Sequence, residues 1–530
     1  MILYALLGVI PRQYDTAKGT AVSFNLACIV REAGRQYPEK AVALHANGTL
    51  TFRELDELSD RFAAGLQDAG VVPGNSVALQ LPNLPEFLIA YFGILKAGAV
   101  IVPMNVLLKA PEVEFYLANS GAQVFITFAM FADEALKGAE QAAVDKIYVV
   151  GSTDFTENVM PFSELVNRPS GPVFEPRSPM DTAVIIYTSG TTGTPKGAEL
   201  THFQLYMNSD IPGRIFGIEE NDIVIVAVPL FHVFGLSSIL NIVVRFGGTM
   251  VLLPRFDSTA VLQSIMKYRA TIFEGVPTMY VDLLSQSDFD DYDLSSLRVA
   301  ISGGAAIPAE VLEEFERRVG VVILEGYGLS ETASTATFNQ SAAERKAYSV
   351  GKPIWGTEAA IWDKINQPLP SGNDNVGEIV IRGYNVMKGY HGRPDADADA
   401  FTGEWFHTGD LGYVDDEGFF FIVDRKKELI IRGGYNVYPR EIEEVLYTHP
   451  AIFEAAVLGM ADPRVGEEVM AFVSLRIGAT ATPSEIIDYV KERVAAYKYP
   501  RRVEIRDILP KGSTGKILKT ELKADLNEPE

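Results

Sequence analysis

The stretch Tyr187-Thr188-Ser189-Gly190-Thr191-Thr192-Gly193-Thr194-Pro195-Lys196-Gly197 follows the apolar run Ala183-Val184-Ile185-Ile186. That run reads as a buried strand. A strand ending in glycines, hydroxyls and one lysine suits a polyanion. Small residues let backbone N–H groups approach, and the lysine supplies charge. The spacing is not the Walker pattern, which needs Gly-Lys followed by Ser or Thr; here Pro195 precedes the lysine and Gly197 follows it. The competing reading is a Thr/Gly-rich surface turn.

Upstream, Thr51 and Glu54 fit a capping box, and Leu55, Leu58, Phe62 and Leu66 keep helical spacing. Val77 to Leu81 reads as a strand, Phe87, Ala90, Tyr91 and Leu95 as a helix, and Gly98 to Pro103 as the next strand. The same strand–helix–strand rhythm returns at 222–251 and 272–323, which predicts an α/β fold with doubly wound parallel sheets. From Pro353 to Asp424 the texture changes to short strands with Gly, Pro and Asp turns, which suits a small β-barrel or antiparallel sheet. Beyond it, a helix opening near Pro439, further strands and a helix through Ile486 to Val494 suit a separate α+β unit. The charged segment from Asp424 to Glu428 is the expected solvated hinge. The resulting division is 1–424, 425–428 and 429–530.

A chain of 530 residues exceeds one core. Its 69 acidic against 46 basic residues give a formal charge of −23. Such a surface repels nucleic acid and anionic headgroups, so any nucleotide site must be locally positive. Cys28 is the only cysteine, which excludes intramolecular disulfides and thiolate zinc sites. The six histidines show no metal-ligand spacing, and a reducing cytoplasm is the simplest compartment. Met1 to Ile10 is apolar but about half the length of a spanning helix, and it lacks the basic start of a signal peptide. Ile223 to Val244 is uncharged, yet Pro229, His232 and Gly235 interrupt it, so strand, loop and buried helix are expected instead of a membrane span.

Four further stretches carry chemistry. Glu325-Gly326-Tyr327-Gly328-Leu329-Ser330-Glu331-Thr332 follows an apolar strand, and Glu331 stands where a dinucleotide fingerprint needs its third glycine. Flanking glycines free Tyr327 to face a flat base, Ser330 offers a hydroxyl to phosphate, and Glu331 offers a hard oxygen to Mg²⁺. A helix start capped by serine is the plainer reading. In Trp405-Phe406-His407-Thr408-Gly409-Asp410, an aspartate at a glycine-flanked turn can accept both hydrogen bonds of a ribose diol. An ordinary Asp turn is its rival. Asp424-Arg425-Lys426-Lys427-Glu428 through Gly433-Gly434-Tyr435 opens the last unit, with a solvated basic run as the alternative. Pro510-Lys511-Gly512-Ser513-Thr514-Gly515-Lys516 puts a lysine on a Gly/Ser/Thr loop able to deliver a cation and withdraw it; a tail lysine alone would be inert.

In this order the five stretches resemble the signature motifs of adenylate-forming enzymes, the superfamily of acyl-CoA synthetases, luciferases and peptide-synthetase adenylation domains. The wording is most similar to bacterial medium- and long-chain fatty acid–CoA ligases, through Val423 to Ile430 and Gly434 to Pro439. The resemblance implies a large adenylation domain and a smaller, mobile C-terminal domain. It implies ATP, Mg²⁺ and coenzyme A as cofactors, with acyl-AMP formed first and the thioester second. It assigns Thr188, Ser189, Gly190, Thr191, Thr192, Gly193 and Lys196 to the β- and γ-phosphates, and Thr191 with Glu331 to Mg²⁺. Glu325, Gly326, Tyr327 and Gly328 border adenine, Ser330 touches the α-phosphate, and Asp410 and Arg425 hold ribose. Lys516 serves the carboxylate and α-phosphate, and Lys427 marks the hinge. Gly433 and Gly434 line the pantetheine tunnel. Ser330 stands where many relatives have Thr. Ile431 stands where plant aryl-CoA ligases and luciferases carry Lys, which weakens those two assignments.

Pro229-Leu230-Phe231-His232-Val233-Phe234-Gly235 resembles the histidine-bearing element of the acid pocket, and Ser302-Gly303-Gly304-Ala305-Ala306 the loop between that pocket and adenine. Residues His232, Phe234, Val276, Pro277, Thr278, Met279, Gly303, Gly304 and Gly328 then surround an uncharged acyl tail. Val281 and Asp282 stand where malonate-type relatives place arginine, which disfavours a dicarboxylate. A fatty acid is the expected substrate, with an aryl or cinnamic acid, a non-CoA acceptor and a non-catalytic nucleotide module as alternatives. Nucleic acid is excluded as a partner; contact with a membrane surface and homodimer formation are left open.

Overall fold

The computed structural model describes residues 23–151, 158–167, 171–188, 194–512 and 515–526. Two large, mostly parallel sheets carry the first part of the chain. One has nine strands in the order Lys352–Pro353, Thr337–Phe338, Ile323–Tyr327, Val299–Ser302, Ile272–Gly275, Ile223–Val226, Thr249–Leu252, Ala41–His45 and Gly48–Thr51. The six strands from Ile323–Tyr327 to Ala41–His45 are parallel, and antiparallel strands finish both edges. The other has seven, ordered Val159–Pro161, Ile147–Val150, Ala122–Phe128, Ser76–Gln80, Val100–Pro103, Thr182–Thr188 and Lys196–Thr201, with only the last antiparallel. The doubly wound α/β expectation holds.

Local chemistry explains where the helices begin. Thr51 caps Phe52–Asp68 in a complete capping box with Glu54, as the sequence predicts. Thr201 does the same for His202–Phe216 with Gln204. Helix Pro85–Lys96 is buried along most of its length, and Gly93 permits its close packing: a Cβ there would lie 2.4 Å from Phe62 Cδ1. The uncharged stretch near 223–244 resolves into strand Ile223–Val226, a π-helix over Phe234–Asn241 and helix Ile242–Phe246. Among the described residues no helix is long and apolar enough to cross a membrane. The apolar start, Met1 to Ile10, lies outside the described residues.

The barrel-or-sheet region takes the form of a five-stranded antiparallel sheet, Thr357–Trp362, Gly377–Gly383, Trp405–Val414 and Phe401–Thr402, with Phe420–Arg425 also pairing to Trp405–Val414. Beyond it, Tyr435–Val437, Ile430–Arg432, Gly466–Leu475, Ile452–Asp462 and Arg502–Ile505 make a fourth sheet. Two apolar clusters there have buried members drawn only from Ile430 onward. Helices Pro439–Tyr447 and Pro483–Lys491 pack on this sheet; the first opens on Pro439 as expected, and the second also opens on a proline but ends at Lys491, short of the expected Val494.

Lys96 closes the buried helix with a side chain of zero exposure, held by Asp56 Oδ1 at 2.5 Å and Asp60 Oδ1 at 3.0 Å, while Arg31 also engages both carboxylates. Replacing Lys96 by alanine leaves two carboxylates short of a counter-charge in the interior. We expect Lys96→Ala to cost about 3–5 kcal/mol, read as a lower urea midpoint with far-UV dichroism before unfolding unchanged.

Candidate active site

Several side chains expected to act, among them Thr188 and Tyr327, stand at the carboxyl ends of the parallel strands, where open α/β sheets leave a crevice. Thr188 ends one strand and pairs in register with Lys196, which starts the antiparallel return. Ser189, Gly190, Thr191, Thr192 and Gly193 lie outside the described residues. Thr188 Oγ1 donates to Glu331 Oε1 at 3.2 Å, and the Tyr390 hydroxyl donates to the same oxygen at 3.0 Å. Lys196 Nζ sits 5.1 Å from the centroid of the Tyr390 ring. Tyr390 is a residue that sequence reading missed. It arrives because Met387 N–H donates to Glu331 O, and His391 N–H donates to Gly197 O, each at 2.7 Å. Only the pairing of this distant segment with the Lys196 strand reveals it.

Glu331 is 8 % exposed and follows Gly328, whose flatness is required: a Cβ there would come within 1.4 Å of Ser334 O. Ser330 opens a short 3₁₀ turn over Ser330–Thr332, with Leu329 rather than the serine at the cap position. Among the described residues no cluster of three or more His, Cys, Asp or Glu forms a resident metal cage. One carboxylate beside hydroxyls and a lysine fits Mg²⁺, which keeps several waters and arrives on substrate phosphates.

Asp410 departs from the turn expected for it. It lies inside the strand Trp405–Val414, where a β-bulge re-aims the side chain. Gly409 adopts φ +73°, and its N–H donates to Glu378 Oε1 at 3.0 Å. A glycine with positive φ looks like a turn in sequence, but here it absorbs the extra residue of a bulge. Asp410 pairs in register with Arg425, giving a cross-strand Nε–Oδ1 contact of 3.2 Å. The Tyr327 hydroxyl donates to Asp410 Oδ2 at 2.6 Å. Burial and then the Asp410 charge hold the Tyr327 phenol well above its ordinary value, so it remains the donor. Glu325 is 4 % exposed, and burial pushes its carboxyl up to about 7 against the pull of Arg440. Gly326 closes the same strand, where a Cβ would meet Phe338 Cδ2 at 2.4 Å.

The segment from Arg425 to Glu428 is anchored on two sides and is less solvated than its composition suggests. Lys426 N–H donates to Gly409 O, and its Nζ lies 3.0 Å from Glu378 Oε2. Glu428 is held instead by Lys519, at 3.1 Å, which also binds Glu443 at 2.7 Å. Lys427, exposed, stands between these two allegiances. Gly433 (φ +56°) and Gly434 (φ +85°) form the exposed hairpin turn between Ile430–Arg432 and Tyr435–Val437, with no side chain within 4 Å of a Cβ on Gly434.

Lys516 lies within electrostatic reach of His232, Asp410 and Arg425. Desolvation first, and the Arg425 charge second, push its ammonium down to about 8, while Glu428 and Asp410 pull back. The residue is nonetheless exposed to solvent. His232 is pushed down to about 4, by burial and then by the charge of Lys516. The imidazole is therefore neutral. Its Nδ1 accepts from Phe234 N–H at 3.3 Å, which leaves the proton on Nε2.

Some of the expected pocket residues are neighbours: Phe234 lies beside His232 and Gly303, and Val276 beside Gly304. Phe234, Val276 and Met279 are buried, and a Cβ on Gly303 would sit 3.5 Å from the Phe234 ring. Gly304 takes φ +78° beside Val276 and, with Ala305, is exposed. Pro277 opens the helix Pro277–Leu284, and Gly515 packs on Thr278. Glu274 went unnoticed in sequence. It is fully buried on the neighbouring strand, and burial pushes its carboxyl well above the ordinary range.

Comparisons with known proteins give the family and the fold. The AMP-binding enzyme family matches residues 30–391, and the AMP-binding enzyme C-terminal domain matches residues 441–516. A long-chain-fatty-acid–CoA ligase of Bacillus subtilis (strain 168) is 37 % identical over 533 residues, covering 95 % of each chain. A feruloyl-CoA synthase of Amycolatopsis sp is 38 % identical over 495 residues, covering 93 % of this chain and 97 % of its own. Among solved structures, an anthranilate CoA ligase in complex with anthranoyl-AMP superposes with a TM-score of 0.90 at 29 % identity, covering 96 % of this chain and 98 % of the other.

The surroundings of Lys516 can be read chemically. With an amine-reactive reagent and peptide mass spectrometry, Lys516 should show a labelling midpoint near pH 8, well below an ordinary lysine. Arg425→Ala removes a like charge and should move that midpoint upward. Desolvation persists, so the ordinary value should not be reached.

Proposed function

Starting from a chain that belongs to the AMP-binding enzyme family and is an AMP-forming acid–thiol ligase using ATP, Mg²⁺ and coenzyme A, we propose that it activates a medium- or long-chain fatty acid. In the first step a carboxylate oxygen attacks the α-phosphorus of ATP. The new C–O–P linkage forms as the bond to the β-phosphate oxygen breaks, and pyrophosphate leaves. In the second, the sulfur of coenzyme A attacks the acyl carbon and AMP departs. Both steps develop charge on oxygens, so positioned cations and hydrogen bonds are the main source of rate.

The observation that carries this reading is the seating of the Lys516 loop against the acid-pocket helix, where Gly515 packs on Thr278 and Val276 and the Lys516 charge acts on His232. In that position the Lys516 ammonium serves the attacking carboxylate and the α-phosphate. Asp410 accepts the ribose hydroxyls, oriented by Tyr327 and Arg425. Lys196, with Thr188 and the loop through Gly193, holds the phosphates that leave. Glu331, fixed by Thr188 and Tyr390, is the carboxylate for Mg²⁺, which supplies Lewis-acid neutralisation of the phosphate oxygens. Neutral His232 lines the carboxylate end of the acid pocket without adding charge.

We place the domain limits at 1–424 and 429–530, with the pivot at Lys427. Arg425 and Lys426 are bound to the first part and Glu428 to the second, which supports a pivot at the exposed residue between them. Gly433 and Gly434 then have the thinness that a pantetheine arm needs. An alkyl tail is supported by the apolar wall of Phe234, Val276 and Met279. An aryl acid is the second reading, supported by the similarity to feruloyl-CoA synthase and to anthranilate CoA ligase. Asp282 close to the pocket opposes a dicarboxylate.

Pyrophosphate release and CoA-thioester formation should be measured across alkyl and aryl acids of graded length. We expect both products with C8–C18 acids, roughly the medium- to long-chain span an apolar pocket accommodates. Lys516→Ala should slow pyrophosphate release by about 10²–10³-fold while thioester formation from supplied acyl-adenylate persists. Pyrophosphate with no acid in the panel would overturn the proposal, and a clear preference for aryl acids would replace the fatty acid.

A further inference from the structure

Glu274 takes no part in the chemistry above. It is 0 % exposed, and neither Oε1 nor Oε2 has a hydrogen-bond partner. Among the described residues it is the only buried carboxylate with both oxygens unpaired. Burial alone raises its carboxyl, and no cation is close enough to lower it. Native interiors rarely keep such a group without a reason, because an unpaired buried acceptor loses its hydration and gains nothing in return.

The strand decides where this side chain points. Successive side chains take opposite faces, so Phe273 and Gly275 share one face and Glu274 takes the other. Phe273 and Gly275 turn toward the helix Pro277–Leu284. The Phe273 ring meets Tyr280 edge-on, 5.3 Å between centroids, and a Cβ on Gly275 would lie 3.4 Å from the Tyr280 ring. The Tyr280 hydroxyl on that side already donates to Ile301 O at 2.7 Å. The backbone at Val276 is still extended, with φ −96° and ψ 159°, so Val276 returns to the Glu274 face. There it borders Gly304 and Gly515, the residue before Lys516, at 3.5 Å and 3.6 Å from their Cβ positions. Glu274 therefore stands one pleat deeper on the same wall as Val276, about 7 Å further from the Lys516 loop. On the next strand Ile301 is its register partner, and two residues on, the Gly303 Cβ position lies 3.5 Å from the Phe234 ring. On the other side, the pairing of Ile225 with Phe273 brings Val226 level with Glu274. An unpaired carboxyl thus sits between two buried aliphatic side chains below the apolar walls of the acid pocket.

We propose that Glu274 forms the floor of the acid pocket and selects a carboxylic acid that carries a hydroxyl group at its far end. The inference rests on the acid-activating reading above and narrows its substrate. The hydroxyl donates to a Glu274 oxygen that no protein group reaches, while Phe234, Val276 and Met279 hold the tail between. A hydroxyl suits this floor better than an ammonium, which would carry a charge out of water among apolar side chains. An unsubstituted tail covers the carboxyl without pairing it, and a site built around such a group rejects the analogue that lacks the donor.

The test uses matched pairs of acids, with kcat/KM for pyrophosphate release as the readout. One pair is an alkanoic acid and its ω-hydroxy form; the other is cinnamic acid and its para-hydroxy form, so an alkyl spacer is told from an aryl one. In at least one pair the hydroxylated acid should exceed its parent by about ten-fold or more. Glu274→Leu should invert that order, raising the parent and lowering the hydroxylated acid. Glu274→Gln, whose amide oxygen still accepts, should keep the preference, whereas a merely structural role would move both acids of a pair together. No preference in the unmodified enzyme, a preference that survives Glu274→Leu, or equal loss for both acids would each overturn the proposal. A stronger response to an ω-amino acid than to the hydroxy acid would overturn the choice of hydroxyl. If no acid releases pyrophosphate, the acid-activating reading falls and takes the Glu274 floor with it. If the parent acids release it and the hydroxyl adds nothing, only the floor falls.

Discussion

The pairing of Asp410 with Arg425 across two neighbouring strands is the contact on which the site is built. It joins the carboxylate re-aimed by the Gly409 bulge to the first residue of the hinge, and the Tyr327 hydroxyl completes it. From this point the chain divides its loyalties within three residues. Lys426 reaches back to Glu378, while Glu428 is gripped by Lys519 from the C-terminal helix. Under the pivot proposed at Lys427, neighbouring residues bind different bodies, and Arg425, paired with the proposed ribose ligand Asp410, stands at their boundary. The boundary is bridged as well, since Arg440 N–H donates to Asp424 Oδ2 at 3.1 Å.

Electrostatics explain why so acidic a chain can receive a polyphosphate. The formal charge of −23 is spread over the surface, while Lys196, Arg425 and Lys516 converge on one crevice. Paired carboxylates tune these cations. Asp410 partly neutralises Arg425, Glu428 is taken by Lys519, and Glu331 is held by two hydroxyls and available to a divalent ion. Lys196, Arg425 and Lys516 are thus interleaved with Asp410 and Glu331 and do not form a bare cluster of like charge.

Much of this was legible in the sequence for physical reasons that are local. Thr51 with Glu54 announces a helix start because both halves of a capping box lie within one turn. The strand before Thr188 announces itself by an unbroken apolar run. Features decided by distant pairing were not legible. The glycine at 409 suggested a turn, yet positive φ serves a bulge equally well, and only the partner strand decides which. The π-helix over Phe234–Asn241 has no distinct periodic signature over eight residues. Tyr390 depends on strand docking, and Glu274 looked like one more acid in a chain rich in them until its burial showed otherwise.

The lowered affinity of Lys516 for its proton also bears on why this cation is brought in from outside the main sheets. A lysine fixed permanently beside Arg425 and an apolar acid pocket would carry a standing desolvation cost and a standing repulsion, and neither would be relieved once pyrophosphate had gone. Carried on a loop, the cation meets that cost only while phosphate charge is present to offset it. Lys511 with Glu454, and Lys519 with Glu428 and Glu443, hold the loop and the helix Lys519–Asp525 to the last part of the chain by ion pairs among residues from Glu428 onward. None of them offsets the Lys516–Arg425 repulsion, which is left to the charge of the phosphates.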